Sequence, residues 1–178
     1  MPWGAPPAAA GDPKAPAAPP PAAAPATVER LADGQGLLLD GRFLVRGRGT
    51  EVDPLRVPWD LLVSAQETYD PAKQRFDVPS RISSLSGQTV SITGYLAAAP
   101  GAEQTREMIV MLNKWDGCCL GLPPSPYDAV EVKLAKPVTL RGKHTIRYGT
   151  VVGRLECEPF LVGGWLVGMY RMADARLE

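Results

Sequence analysis

Apolar and polar residues alternate along much of the second half of the chain, and a period of two predicts strands. Thr89 to Leu96 sets Val90, Ile92, Gly94 and Leu96 against Ser91, Thr93 and Tyr95. Ala129 to Leu134 sets Val130, Val132 and Leu134 against Glu131 and Lys133, as for a strand with one wet face. Met108 to Leu112 is a continuous apolar run, as for a strand covered on both faces. Ile146 to Cys157 predicts another strand, with Gly149 and Gly153 inside it where bulges or sharp bends are expected. Phe160-Leu-Val162 and Trp165 to Met172 flank Gly163-Gly164, a hairpin signal. An earlier hairpin is expected where Leu37-Leu-Leu39 and Phe43-Leu-Val45 flank Asp40-Gly41. Between the two regions, Val57-Pro-Trp-Asp-Leu-Leu-Val63 predicts a short helix. Pro58 suits its first position, and Leu61, Leu62 and Ala65 would face inward with Trp59. Asp70-Pro71 ends it, and a polar linker leads to Pro79.

Five substantial strands, glycines that permit coiling and little helix predict an all-β fold. The expected architecture is a small five-stranded barrel, OB-like, with one short helix before it. A two-sheet sandwich is the alternative. The chain divides into a disordered Ala/Pro-rich tether at 1–27, a β-hairpin extension at 28–56 and the OB-like β-barrel domain at 57–178.

The tether is almost wholly Ala, Pro and Gly, with Asp12 and Lys14 as its charges. It cannot bury enough apolar surface to offset its ordering entropy. It lacks the basic start and apolar core of a signal peptide. It reads either as a plain low-complexity tail or as the arm that follows a signal sequence or lipid anchor. The 178 residues carry a formal net charge of +0, which argues against a nucleic-acid partner held through phosphates. No apolar run is long enough to predict a transmembrane segment.

Candidate chemistry concentrates in Trp115-Asp-Gly-Cys-Cys-Leu-Gly-Leu-Pro-Pro-Ser-Pro126, an irregular loop with two adjacent thiols between glycines and prolines. Trp115, Cys118, Cys119 and Tyr127 are its candidate binding residues. The third cysteine is Cys157. Three cysteines leave one over from any pair. A disulfide from Cys118 or Cys119 to Cys157 is one expectation, and buried structural thiols are another. A zinc site would draw on Cys118, Cys119, Cys157 and His144, the only histidine, although none shows the spacing typical of zinc ligands. A thiol-dependent redox enzyme would need one thiol activated, and there is no C-x-x-C. Tyr95, Trp115, Tyr127, Tyr148, Trp165 and Tyr170 are expected in core and rim packing rather than in stacking bases, because Lys and Arg are dispersed.

Three segments carry a resemblance. Val57-Pro-Trp-Asp-Leu-Leu62, Ile82-Ser-Ser-Leu-Ser-Gly-Gln-Thr-Val-Ser-Ile-Thr-Gly-Tyr95 and Cys118-Cys-Leu-Gly-Leu-Pro-Pro124 resemble an uncharacterised bacterial family of small exported proteins, often lipoproteins. Its pattern reads W-x-x-L … L-x-G-x-x-V-x-I-x-G-Y … C-C-x-G-x-P, and the similarity spans about residues 57 to 175. The resemblance implies a cell-envelope or periplasmic location, with an upstream signal preceding Met1. It also implies a protein partner at the envelope, an ABC transporter among the candidates. The chain is accordingly read as a non-catalytic accessory or binding module. A zinc-handling protein and a thiol-dependent enzyme are the alternatives.

Overall fold

The computed structural model describes residues 27–98, 103–115, 121, 123–139 and 146–178. The Ala/Pro-rich arm up to residue 26 lies outside the described residues. The strands are β1 (Val28–Arg30), β2 (Gly36–Leu39), β3 (Phe43–Arg46), β4 (Leu55–Arg56), β5 (Tyr69–Asp70), β6 (Arg75–Phe76), β7 (Thr89–Ala98), β8 (Gln104–Met111), β9 (Ala129–Thr139), β10 (Arg147–Val162) and β11 (Trp165–Leu177). The helices are α1 (Trp59–Val63) and α2 (Ser80–Ser83), each starting just after a proline. The protein is all-β in character, as its alternating segments predict.

Nine strands form one sheet in the order β1-β2-β3-β4-β7-β10-β11-β9-β8, with a further pairing of β7 to β8. That last pairing matters most. From β7 the ladder passes to β10, β11, β9 and β8 and returns to β7. All pairings in this circuit are antiparallel except β9 with β11, which is parallel. β1 to β4 add to the outside of the circuit through a parallel pairing of β4 with β7. The sheet is thus larger than the five strands expected, because short segments before residue 57 extend it. β5 and β6 form a separate two-stranded ladder in the segment read as a polar linker.

Alternation translates directly into burial. Along β7, Val90, Ile92, Gly94 and Leu96 are buried while Thr93 is exposed; along β9, Val130, Val132 and Leu134 are buried and Glu131 and Lys133 are wet. The predicted strands at 146–157 and 160–162 are one continuous β10, with register shifts against β11 around Gly153 and between Cys157 and Phe160. Gly153 is required there: a Cβ would come within 2.7 Å of Met172 Cγ and 2.8 Å of the Ala173 carbonyl oxygen. Gly94 has the same role facing β8, where a Cβ would lie 2.5 Å from the Met111 carbonyl oxygen and 3.2 Å from Trp59 Cζ2.

α1 packs its apolar side into the core. Leu61, Leu62 and Ala65 are fully buried, as expected, and half-buried Trp59 donates its Nε1–H to the Thr93 carbonyl oxygen at 2.8 Å. Pro58 sits one position before the first helical residue rather than in it. Arg81, from α2, binds this region to the β2–β3 hairpin. It donates to Ser64 Oγ at 2.9 Å, the Ser64 carbonyl oxygen at 3.0 Å, Glu67 at 2.9 Å and Asp40 at 3.2 Å. Its guanidinium also lies 5.7 Å from the Phe43 ring centroid. Asp40 is held at φ 52 and Gly41 at φ 62 in the turn between β2 and β3. These are the left-handed conformations that a tight hairpin turn demands and that the Asp-Gly pair predicts.

Candidate functional site

Strand register gathers two unusual features at one end of the circuit. Met111 of β8 pairs with Ala129 of β9, so the Trp115 to Tyr127 segment joins those strands at that end. β11 runs parallel to β9 with Arg171 opposite Glu131, so residues before Met169 extend beyond the start of β9. The β10–β11 hairpin therefore projects past the sheet on the side where the β8–β9 connection lies.

The β8–β9 connection is pinned at several points. Trp115 and Gly121 form an isolated antiparallel bridge that closes the base of the segment holding both cysteines. Gly121 adopts φ 91, and a Cβ there would overlap the Lys114 carbonyl oxygen. This glycine is a backbone requirement rather than a spacer. The exit is tied by the Ser125 N–H donating to Asp128 Oδ1 at 2.6 Å and the Leu112 N–H donating to the Asp128 carbonyl oxygen at 3.0 Å. Cys118 and Cys119, the residues that drew the zinc, disulfide and redox readings, lie outside the described residues, as does His144. The segments carrying them attach at opposite ends of β9, before Ala129 and after Thr139. Eleven residues of strand span roughly 33 Å between those anchor points.

Trp115 is half-buried. Tyr127 packs against the core, and its hydroxyl donates to the Tyr69 carbonyl oxygen at 2.8 Å. Burial raises the Tyr127 phenol above its ordinary value, and the charge of Asp70 adds to the shift. Tyr170 lies inside this end and donates its hydroxyl to the Leu62 carbonyl oxygen at 2.7 Å. Burial pushes its phenol far above the usual tyrosine range, with the Cys157 and Tyr127 groups adding to the rise.

Cys157 is a free thiol, buried on the inner side of β10. Its backbone N–H donates to Ser86 Oγ at 3.2 Å. Burial pushes the thiol up to about 12. A thiol so placed stays protonated at neutral pH, and the thiolate is the form that attacks or binds metal. Among the described residues, no group of three or more His, Cys, Asp and Glu side chains is arranged to hold a metal ion.

The hairpin carries a feature that composition did not single out. Phe160, Leu161, Val162, Trp165 and Val167 are 40%, 41%, 56%, 77% and 50% exposed. They flank Gly163 at φ 57 and Gly164 at φ 85. An apolar run normally signals core, and here it stands in solvent. The signal lay in the length of the hairpin relative to β9, which no single-strand pattern contains. A cleft of about 220 Å³ elsewhere, lined by Arg30, Arg48, Ser84 and Gln88 among others, falls below the ~300–1,000 Å³ usual for small-molecule sites.

These features define an all-β protein with one end formed by a pinned loop and a projecting apolar hairpin. Over part of its length it is similar to a DUF3299 family protein from Pseudomonas aeruginosa, known from a crystal structure. The TM-score is 0.42 and the identity 21%, covering 67% of this chain and 80% of that one. No family model matches the chain. No curated protein matches it.

Proposed function

We propose that this protein is a non-catalytic binding module of the bacterial cell envelope, built on an OB-like barrel, that engages its partner through the end bearing the Trp115–Tyr127 loop and the β10–β11 hairpin. The strand circuit supports the barrel. Its order, its four antiparallel pairings and the parallel pairing of its third and fifth strands agree with a five-stranded Greek-key barrel. The observation that carries the reading is the exposed apolar hairpin, whose Trp165 is 77% in solvent. Such surface on a folded domain marks an interaction site. The location rests on the three resemblance segments. A protein partner such as an ABC transporter would meet the half-buried Trp115 side of the same end. The buried, protonated Cys157 gives a thiol-dependent mechanism no support.

A photo-crosslinking amino acid placed at Trp115 and, separately, at Tyr148 tests this reading in envelope preparations. Tyr148 is 69% exposed and lies near the start of β10, at the opposite end of that strand from the hairpin tip. Discrete protein adducts from position 115 and none from 148 are expected. Equal labelling from both, or from neither, would refute a protein-contact surface at this end.

A further inference from the structure

We infer that the tip of the β10–β11 hairpin inserts into the interfacial layer of a lipid bilayer. This deepens the proposed binding role by naming one partner of the same end.

Charge comes first. From Pro159 to Tyr170 the chain carries no Asp, Glu, Lys or Arg. Charged groups begin at once on either side, with Glu158 before and Arg171 after. Arg171 lies 4.7 Å from the Phe160 ring centroid and 3.4 Å from Glu131. An uncharged tip above a charged collar matches the layering of a membrane surface, apolar within and charged at the headgroups.

Geometry narrows the occupant. Val162 pairs with Trp165 and Leu161 with Leu166. Successive residues point to opposite faces of a strand, so Val162 and Trp165 share one face and Leu161 lies on the other. Val162 and Trp165 are exposed on the first face; on the second, Leu161 is exposed while its partner Leu166 packs partly against the core. A flat protein partner would cover one face and leave the other wet, whereas a fluid lipid layer surrounds both. Residues 160 to 168 span three strand pairings, roughly 10 Å of ribbon. That length fits the ~5–10 Å to which interfacial elements bury.

The same structure limits the depth. Among the described residues, β10 has no ladder partner beyond β11 once past Arg154. An unpaired edge costs too much in hydrocarbon, so the tip stops at the interface. Tryptophan at the tip suits that layer. With no cation in the tip, attachment depends on apolar contact and only weakly on salt.

The test is co-sedimentation of the full chain with large vesicles of pure phosphatidylcholine, in low and high salt. Binding that survives salt is expected. Trp165→Ser should weaken partitioning by about tenfold or more, and Leu161→Ser should weaken it too, while Tyr148→Ser leaves it unchanged. Thermal melting of each variant checks folding. Brominated acyl chains should quench tryptophan emission in the native chain and not in the Trp165→Ser variant. The inference is overturned by no sedimentation. It is equally overturned by sedimentation that Trp165→Ser and Leu161→Ser leave intact, or by binding that needs anionic lipid and vanishes in salt. Protein adducts at position 115 without vesicle binding would leave the binding module standing and remove its lipid partner. Vesicle binding without such adducts would do the reverse.

Discussion

Cys157 and Tyr170 are acids whose neutral forms the folded core prefers. Burial raises the thiol from 9.0 to about 12 and the phenol above its ordinary 10.0. Between about pH 9 and 12 the unfolded chain loses the thiol proton and the folded chain keeps it. The folded state then binds more protons, so stability falls as pH rises through that window. Below it the contribution is fully present. Urea midpoints between pH 8 and 11 should therefore decline less steeply in Cys157→Ala than in the native chain, although the variant starts lower because of its cavity. The phenol's share of the decline, which begins near 10, should remain. A native-state thiol reagent at pH 8, read by peptide mapping, should leave Cys157 unmodified. Rapid labelling at that residue would contradict its burial. At this scale the sequence was half legible. A cysteine in a strand reads as a small apolar residue, but which thiols share a neighbourhood depends on register.

Elements with a clear period were legible, and those without one were not. β7 and β9 follow from their alternation, and the Asp40-Gly41 turn from its chemistry, because each signal lies within a few consecutive residues. β1, β4, β5 and β6 hold two or three residues each, too few to display any period. Their pairing is set by neighbours distant in sequence. The hairpin after Pro159 was legible as a hairpin. Its exposure was not, since Phe160-Leu-Val162 has the same composition as a core strand. Gly94 shows how one element depends on another. Replacing it with Ala places a Cβ 2.5 Å from the Met111 carbonyl oxygen and 3.2 Å from Trp59 Cζ2, where the β7–β8 pairing closes the circuit. Gly94→Ala should cost about 1–3 kcal/mol by overpacking, with a red shift in tryptophan emission as Trp59 is displaced. An unchanged melting temperature and spectrum would show that β7 and β8 can part without loss.

For the molecule as a whole, β11 is the strand on which closure depends. It is the sole link between β10 and β9 in the circuit, and its Met169, Tyr170, Met172 and Ala175 are all buried. A chain ended at Gly164 should lose cooperative thermal unfolding altogether. Retention of a sharp transition would mean that the remaining strands close by another route. The parallel β9–β11 pairing joins residues 40 positions apart, Glu131 with Arg171, and such non-local ladders fold slowly, on a scale of about milliseconds to seconds. This has a consequence for synthesis. When a ribosome has reached Trp165, β7 to β10 have been synthesised but have nothing to shut against. Of the five strands in the circuit, β11 is the last to be made and the one that shuts it. Until then the other four strands remain an open ladder, within reach of any machinery that handles unfolded protein.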